Sequence, residues 1–379
     1  MDFALNSEQE MFQQTMRQYL ESKGGTGLAR QYMEGQREVL RQLWTGMAEL
    51  GFMGVNVPEQ YGGLGQGPLS LVPILEELGR VVAPGLYPET MALAVPLLEM
   101  YGSEEQKQRY LSDIAEGKRM VTLACHEPPA GRFAAGDIQM TAKKEGEDYI
   151  LNGAKTLVPH GDQADTLIVL ARTAQGSAES GLTLFLVDRE TAGLSARVLK
   201  SFDQTRDWAE VQFHEVRFPQ SQRLGPEQAG WVLLQEGLKH LHVALCATMV
   251  GGMAQAVEMS TEYAKTRKQF GQPIGRFQAI KHRIVEMKLD LESARSLTYY
   301  AAWALENGAP DQEAAIYSAR AMINESYIRV AGHNIQNHGG MGFTWEYDCH
   351  LYIKRARALE NYLGSPSLYR EKAAVALGW

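Results

Sequence analysis

Residues 267–282, with the sequence RKQFGQPIGRFQAIKH, combine side chains that suit a ligand carrying both phosphate and an aromatic base. Arg267 supplies a planar set of donors that matches phosphate oxygens. Phe270 supplies a flat face on which a base can stack. A cation that completes a helix end beside a phenylalanine of the core would use the same residue types, so both interpretations are open at this point.

Two long helical patterns flank this stretch. The first runs from about Trp231 to Lys268, and the sequence predicts its end at Gly271, because glycine accepts positive φ and Pro273 cannot continue the hydrogen-bond ladder. The second begins near Phe277, and its apolar residues follow at spacings of three and four: Ile280, Ile284, Met287 and Leu291. We therefore expect a hairpin of two long helices that presents the candidate ligand-binding residues at its turn.

A third helical pattern runs from about Asp311 to Asn337 and ends in the sequence QNHGGMG. Consecutive glycines after a helix, here Gly339 and Gly340, can expose backbone N–H groups to an anion. Such a pair more often does no more than end a helix, so the motif alone is weak.

The two motifs together resemble a known family. R-x-Q-F-G-x-P-I-x-x-F-Q resembles the signature of the acyl-CoA dehydrogenases, and Q-x-x-G-G-x-G matches a second motif of that family. The resemblance implies contacts with the pyrophosphate and adenine side of an FAD that a neighbouring subunit mainly binds, made here by Arg267, Gln269, Phe270, Phe277 and Gln278. It also implies that the glycine-rich turn packs against the pyrophosphate or ribityl chain of that FAD through Gln336, Gly339 and Gly340.

The composition is that of an ordinary globular protein, with 45% apolar and 22% charged residues among 379. A net charge of −8 argues against nucleic acid as a main partner. No uninterrupted apolar run reaches the ~18 residues that span a membrane, and the acidic start MDFALNSEQEMFQQ is unlike a targeting peptide. The three cysteines are widely spaced, so we expect no metal site, no disulfide framework and a cytoplasmic location.

The order of patterns predicts three segregated domains. Residues 1–119 are typical of helices, residues 120–226 alternate in short apolar runs such as DYILNGAKTLV, and residues 227–379 return to helices. The fold class is therefore mainly α with a middle antiparallel β barrel or sandwich. The same order resembles the acyl-CoA dehydrogenase fold, which ends in a four-helix bundle.

The flavin-ring side of the site departs from the family pattern. The family's T-E-x-x-x-G-S-D and W-I-T-N motifs correspond here to CHEPPAGRF and KTLVPHG. The resemblance implies contacts with the flavin ring and the thioester from Cys125, His126, Gly131 and Val158. Leu157 replaces the Trp, and Pro159 replaces the Thr whose groups bond flavin N5, although proline has neither an N–H nor a hydroxyl.

The usual catalytic base is also missing. The family removes the substrate α-proton with a Glu in one of two positions, and the corresponding residues here are Leu363, between Tyr362 and Gly364, and Leu241. Leucine cannot accept a proton. Charged or titratable residues near the two positions are the candidates for a substitute base: Glu236, His240, His242 and Glu360.

Three functions stay open from the sequence. The first is an FAD-dependent acyl-CoA dehydrogenase of the short bacterial branch that uses a substitute base. The second is a non-catalytic, FAD-sharing subunit of a heterotetrameric dehydrogenase, and the third is a flavin-dependent monooxygenase or oxidase. The resemblance implies an acyl-CoA substrate, an electron-transfer flavoprotein or similar acceptor, and a homotetramer or α2β2 heterotetramer.

Overall fold

The protein is seen here in a computed structural model that describes residues 5–129, 133–176 and 178–379. Helices make up the first part of the chain: α1 (Ser7–Ser22), α2 (Gly27–Met33), α3 (Glu38–Glu49), α4 (Pro68–Arg80), α5 (Tyr87–Glu89), α6 (Val95–Tyr101), α7 (Glu104–Gln106) and α8 (Ser112–Ala115). π-Helical segments join α5 to α6 at Thr90–Ala94 and α7 to α8 at Lys107–Leu111.

The described residues in the middle of the chain form a sheet of eight strands: β1 (Val121–Ala124), β2 (Thr141–Glu145), β3 (Asp148–Pro159), β4 (Thr166–Arg172), β5 (Leu182–Asp188), β6 (Leu194–Val198), β7 (Trp208–Pro219) and β8 (Arg223–Leu224). The strand order is β6-β7-β3-β2-β4-β5-β8, with β1 paired to β4. Most pairs are antiparallel as expected, but β4 runs parallel to both β1 and β2. The pairing of β3 with β7 shifts register between Lys155 and Val158.

Helices return in the last part: α9 (Gly230–Thr266), α10 (Gln278–Glu306), α11 (Gln312–His338), α12 (Cys349–Glu360) and α13 (Pro366–Ala376). The predicted fold class, mainly α with a middle β domain followed by C-terminal helices, is confirmed. The predicted end of the first long helix at Gly271 is wrong. The helix stops at Thr266, and the next residues form a small hairpin of β9 (Lys268–Gln269) and β10 (Gln272–Pro273).

Helix α9 is the central element of the packing and touches α4, α10 and α11. Two glycines let it approach α4 closely: a Cβ at Gly79 would lie 2.0 Å from the Thr248 carbonyl oxygen, and one at Gly251 would lie 1.9 Å from the Glu76 carbonyl oxygen. By length and composition α9 could cross a membrane, but 78% of its most apolar 18-residue window is buried inside the protein. Such burial is typical of a core helix.

Candidate functional site

The β9–β10 hairpin displays Phe270 to solvent. Gln269 pairs with Gln272, which leaves Phe270 and Gly271 as a two-residue turn with φ values of 51° and 76°. Positive φ at both central residues is typical of a type I′ turn, whose twist matches that of the strands it joins. The Phe270 side chain is 91% exposed, and its ring meets that of Phe277 edge to face at 5.9 Å. Packing within the chain does not explain why a phenylalanine with positive φ is exposed to solvent here.

Arg267 combines a fixed backbone with an exposed side chain. Its N–H donates to the Tyr263 carbonyl at 2.8 Å, and its own carbonyl accepts from Ile274 N–H at 2.8 Å. Within the described part of the chain, no carboxylate forms an ion pair with its guanidinium. The side chain is therefore available to an anion outside the chain.

The glycine-rich turn lies beside the hairpin because His338 links the two. His338 closes α11, and its ring stacks on that of Tyr263 at 4.3 Å, while its Nδ1 hydrogen-bonds the Asn334 carbonyl at 2.8 Å. Tyr263 in turn carries the carbonyl that holds Arg267. Gly339, with φ 59°, follows directly, so the predicted glycine and arginine elements converge on one surface. The remaining predicted residues of this half are also at that surface: Gln269, Gln278, Gln336 and Gly340 are exposed.

The predicted flavin-ring residues lie in a different environment. Cys125, His126 and Val158 are 2%, 8% and 0% exposed, and Gly131 lies outside the described residues. The His126 ring packs 5.1 Å from that of Phe133, which packs 5.3 Å from Trp231. Burial, with help from the nearby Lys155 charge, lowers the pKa of His126 to about 4, so the imidazole is neutral at physiological pH.

Several polar groups of the KTLVPHG segment are bonded within the chain, whereas the buried Nε2 of His160 has no partner among the described residues. The Pro159 carbonyl accepts from the Thr122 hydroxyl at 2.6 Å. His160 has φ 43° and Leu157 has φ 51°, so both have an uncommon left-handed backbone. The Tyr32 hydroxyl lies 3.1 Å from His160 Nδ1, and burial lowers the pKa of His160 well below its ordinary value.

The two positions predicted to lack a base are both buried. Leu363 is 2% exposed with φ 64°, and Leu241 is fully buried. The candidates for a substitute base are engaged elsewhere: Glu236 pairs with Lys239 at 3.0 Å, and Glu360 pairs with Arg357 at 3.0 Å.

The two histidine candidates face other parts of the protein. The His242 ring packs 5.1 Å from Tyr369 and 6.2 Å from Tyr317, and burial lowers its pKa well below the ordinary value. His240 lies in the wall of a cavity of about 720 Å³ between α4, α6 and α9. That cavity has an apolar floor that includes Leu71 and Val72, and its lining carries three carboxylates: Glu59, Glu99 and Glu306.

Sequence reasoning missed a buried ion pair beside Tyr362. Glu89 is fully buried and pairs with Arg206, itself 3% exposed. The Arg206 guanidinium lies 5.0 Å from the centre of the Trp208 ring and 5.6 Å from that of Tyr362. Burial and the Glu89 carboxylate raise the pKa of Tyr362 well above its ordinary value. The one available signal was a lone Glu within the otherwise apolar run that begins at Tyr87.

Comparison with known proteins identifies the fold's relatives. Family models match three consecutive parts of the chain: the acyl-CoA dehydrogenase N-terminal domain over residues 6–118, the middle domain over 122–216 and the C-terminal domain over 228–377. A probable acyl-CoA dehydrogenase of Bacillus subtilis, YngJ, is 31% identical over 377 residues, which is 98% of each chain. An L-prolyl peptidyl-carrier protein dehydrogenase of a Serratia species is 31% identical over 389 residues, covering 100% of this chain and 98% of the relative.

Solved structures agree with these matches. Butyryl-CoA dehydrogenase from Megasphaera elsdenii superposes with a TM-score of 0.92 at 28% identity and covers 100% of both chains. The FAD complex of PigA superposes with a TM-score of 0.91 at 30% identity, over 100% of this chain and 99% of the other. The resemblance inferred from the sequence motifs is thus confirmed, and the chain belongs to the acyl-CoA dehydrogenase family of FAD-dependent oxidoreductases.

Proposed function

We propose that this chain is a subunit of an assembly that desaturates an acyl thioester between its α and β carbons, with FAD as the hydride acceptor. One observation carries the proposal: the Arg267–Phe270 hairpin and the Gly339 turn are presented side by side at the surface and joined through the stacked rings of His338 and Tyr263. An exposed phenylalanine and an unpaired arginine have little joint purpose in an isolated chain.

These surface elements fit the adenine and pyrophosphate end of FAD. The Arg267 guanidinium would donate to the pyrophosphate oxygens in a charge-assisted contact. The exposed face of Phe270 would receive the adenine ring, and the N–H groups at Gly339 and Gly340 would face the same anion. Bound FAD supplies the hydride acceptor, whereas these residues bind and orient the cofactor.

The substrate is proposed to be an acyl-CoA or a closely related acyl thioester. The family relationship favours the CoA ester, and the relative that acts on a prolyl carrier protein adds carrier-protein thioesters to the candidates. We further propose an electron-transfer flavoprotein or a similar acceptor, a tetramer built as a dimer of dimers, either homomeric or α2β2, and a cytoplasmic location.

The experiment is dye-coupled oxidation of short, medium and steroid-like acyl-CoAs and one acyl carrier protein thioester, using the protein purified from its own host. Acyl-dependent dye reduction supports the proposal. An assembly that carries flavin, oxidises none of these thioesters and consumes oxygen with a reduced flavin donor would contradict it. Light scattering tests the assembly: we expect about four times the chain mass of 42.1 kDa.

A second candidate, a subunit without its own catalytic base, is favoured by Leu363 and Leu241. Both are buried, and neither carries a group that can take the α-proton. Vigorous oxidation by this chain alone would contradict that candidate, because it would require a base elsewhere in the chain.

A further inference from the structure

We infer that this chain completes the flavin site of a different subunit of the same fold and does not hold FAD in its own flavin-ring half. The inference rests on the proposed function, and it favours the α2β2 heterotetramer over the homotetramer. The partner is thereby specified by its chemistry: a second acyl-CoA dehydrogenase-like chain whose own ring half is open and holds the FAD.

The two halves of the candidate site differ in their exposure to solvent. Residues of the adenine and pyrophosphate half are at the surface, and Phe270 is 91% exposed. Residues predicted for the ring half are buried by the chain's own atoms, with Val158 at 0% and Cys125 at 2%. A surface that binds a cofactor should be accessible to solvent when the cofactor is absent. Here only one half is accessible.

Aromatic rings pack against one another in the flavin-ring half. The His126 ring packs against Phe133 at 5.1 Å and against Tyr362 at 6.5 Å. Phe133 continues to Trp231 at 5.3 Å, and Tyr362 continues to Trp208 at 5.0 Å. We call these five residues the aromatic cluster. It reaches from the end of β1 to the start of α9 and to the loop after α12, so the elements expected to enclose a flavin ring are in contact with one another.

A buried ion pair fixes these elements in place. Glu89 and Arg206 form an ion pair behind Tyr362 and Trp208, and both members are at most 3% exposed. Separating such a pair would leave a charge uncompensated in the interior, which is strongly unfavourable. The cluster is therefore not a loose surface that a flavin could push aside.

The segment around Pro159 is poorly suited to hydrogen-bond flavin N5. Pro159 has no N–H to donate, and its carbonyl is already occupied by the Thr122 hydroxyl at 2.6 Å. The next residue, His160, is fully buried, with its Nδ1 3.1 Å from the Tyr32 hydroxyl. Pro159 therefore offers flavin N5 no donor, and the unpartnered Nε2 of His160 is enclosed by protein atoms, so a flavin ring cannot reach it.

The charge of the exposed half indicates what faces it. The chain carries a net charge of −8, yet the hairpin region presents Arg267, Lys268, Arg276 and Lys281. Arg276 and Lys281 line an open cavity of about 520 Å³ beside β10. A local excess of cations on an acidic protein suits an anionic group, and a pyrophosphate held by the partner supplies one.

The test is the ratio of FAD to protein chain. A tagged copy of this chain is purified from its own host, and flavin absorbance and chain identity are measured. We expect one FAD per two chains together with a second dehydrogenase-like chain, and we expect this chain, when produced alone and dialysed against excess FAD, to bind no stoichiometric flavin.

Two other outcomes separate the two proposals. One FAD per copy of this chain in a homomer would overturn the inference and leave the proposed function standing. A purified assembly that contains no flavin at all, even after dialysis against FAD, would overturn the proposed function itself.

A pair of variants tests whether the aromatic cluster is the cause. Phe133→Ala with Trp231→Ala should raise FAD uptake by the isolated chain at least several-fold above wild type. The control removes the same ring types from the surface, Phe202→Ala with Trp379→Ala, where the side chains are 66% and 87% exposed. If the double variant folds but binds no more FAD than wild type, the aromatic cluster is not what keeps FAD out of the ring half. If the double variant fails to fold, the ratio of FAD to chain in the wild-type assembly still decides the proposal.

Discussion

The Lys155 ammonium lies 2.6 Å from the Glu127 carboxylate in an ion pair whose lysine is fully buried. The two partners are not equivalent, because Glu127 also accepts from the backbone N–H groups of Gln139 at 2.8 Å and Met140 at 3.0 Å. Burial lowers the pKa of Lys155, while Glu127 opposes that change. The carboxylate therefore has other donors, whereas the ammonium depends on the carboxylate.

This asymmetry predicts unequal costs for the two single substitutions. Glu127→Ala strands a buried ammonium and should reduce the free energy of unfolding by about 3–5 kcal/mol. Lys155→Met fills the space with an apolar side chain and leaves Glu127 with its backbone donors, so the loss should be smaller, about 1–2 kcal/mol. Urea unfolding of both variants checks the order, and equal losses would contradict it.

Arg267→Ala should weaken FAD retention by the assembled protein. The proposed charge-assisted contact with pyrophosphate contributes about 1.5–3 kcal/mol, so its loss should lower the affinity roughly ten-fold or more. Arg197→Ala is the matched control, since it removes an exposed arginine from β6 and leaves the hairpin unchanged. Flavin occupancy after gel filtration is the measurement. Full occupancy in Arg267→Ala would show that Arg267 only completes the end of α9.

The buried His126 should make the folded state sensitive to mild acid. Its pKa is about 4 in the folded protein, below the ordinary value of about 6.5 for an unfolded chain. Between these two values the unfolded chain binds more protons, so stability falls as the pH falls through this window and is unaffected above it. At pH 5 the loss from this one group is about 2 kcal/mol.

His126→Gln provides the comparison for that pH effect. The substitution removes the titrating ring, so the decrease in unfolding free energy between pH 7.5 and pH 5 should become smaller than in wild type. Chemical unfolding curves at the two pH values give the difference. If the decrease in unfolding free energy is the same in His126→Gln as in wild type, the acid sensitivity comes from other groups, such as His160, whose pKa is also lowered.

Leu363→Glu should destabilise the chain without giving it activity when it is alone. Leu363 is 2% exposed, and burial raises the pKa of a carboxyl above its ordinary value. The penalty should therefore grow as the pH rises above about 4.3, where the unfolded chain ionises first. The left-handed φ of 64° imposes no added strain, because Leu already bears it.

Leu363→Gln separates charge from polarity at the same position. The loss of stability in Leu363→Gln should be the same across that pH range, whereas the loss in Leu363→Glu should grow with pH. Dye-coupled oxidation is measured in parallel. Turnover by the isolated Leu363→Glu chain would contradict the closure of its ring half.

The helical and strand patterns were strong enough to predict the fold from the sequence. The helical patterns predicted from near Phe277 and from about Asp311 are found as α10 (Gln278–Glu306) and α11 (Gln312–His338), each within two residues of its expected start. The short alternating runs predicted for residues 120–226 form the middle sheet. The hairpin at Lys268–Pro273 was missed, because Gly271 serves a tight turn as readily as a helix end.

Residue types and their order by themselves determined the family, the fold class and the candidate FAD residues, because those depend on local motifs and periodicity. They could not decide which candidates are accessible. His126 and Phe270 are both motif residues, yet one is buried among rings from distant elements and the other is at the surface. The Glu89–Arg206 pair likewise joins residues that are 117 positions apart in the chain. Burial and long-range pairing arise only when the elements pack, and tertiary structure therefore decided which of the candidate FAD residues are exposed.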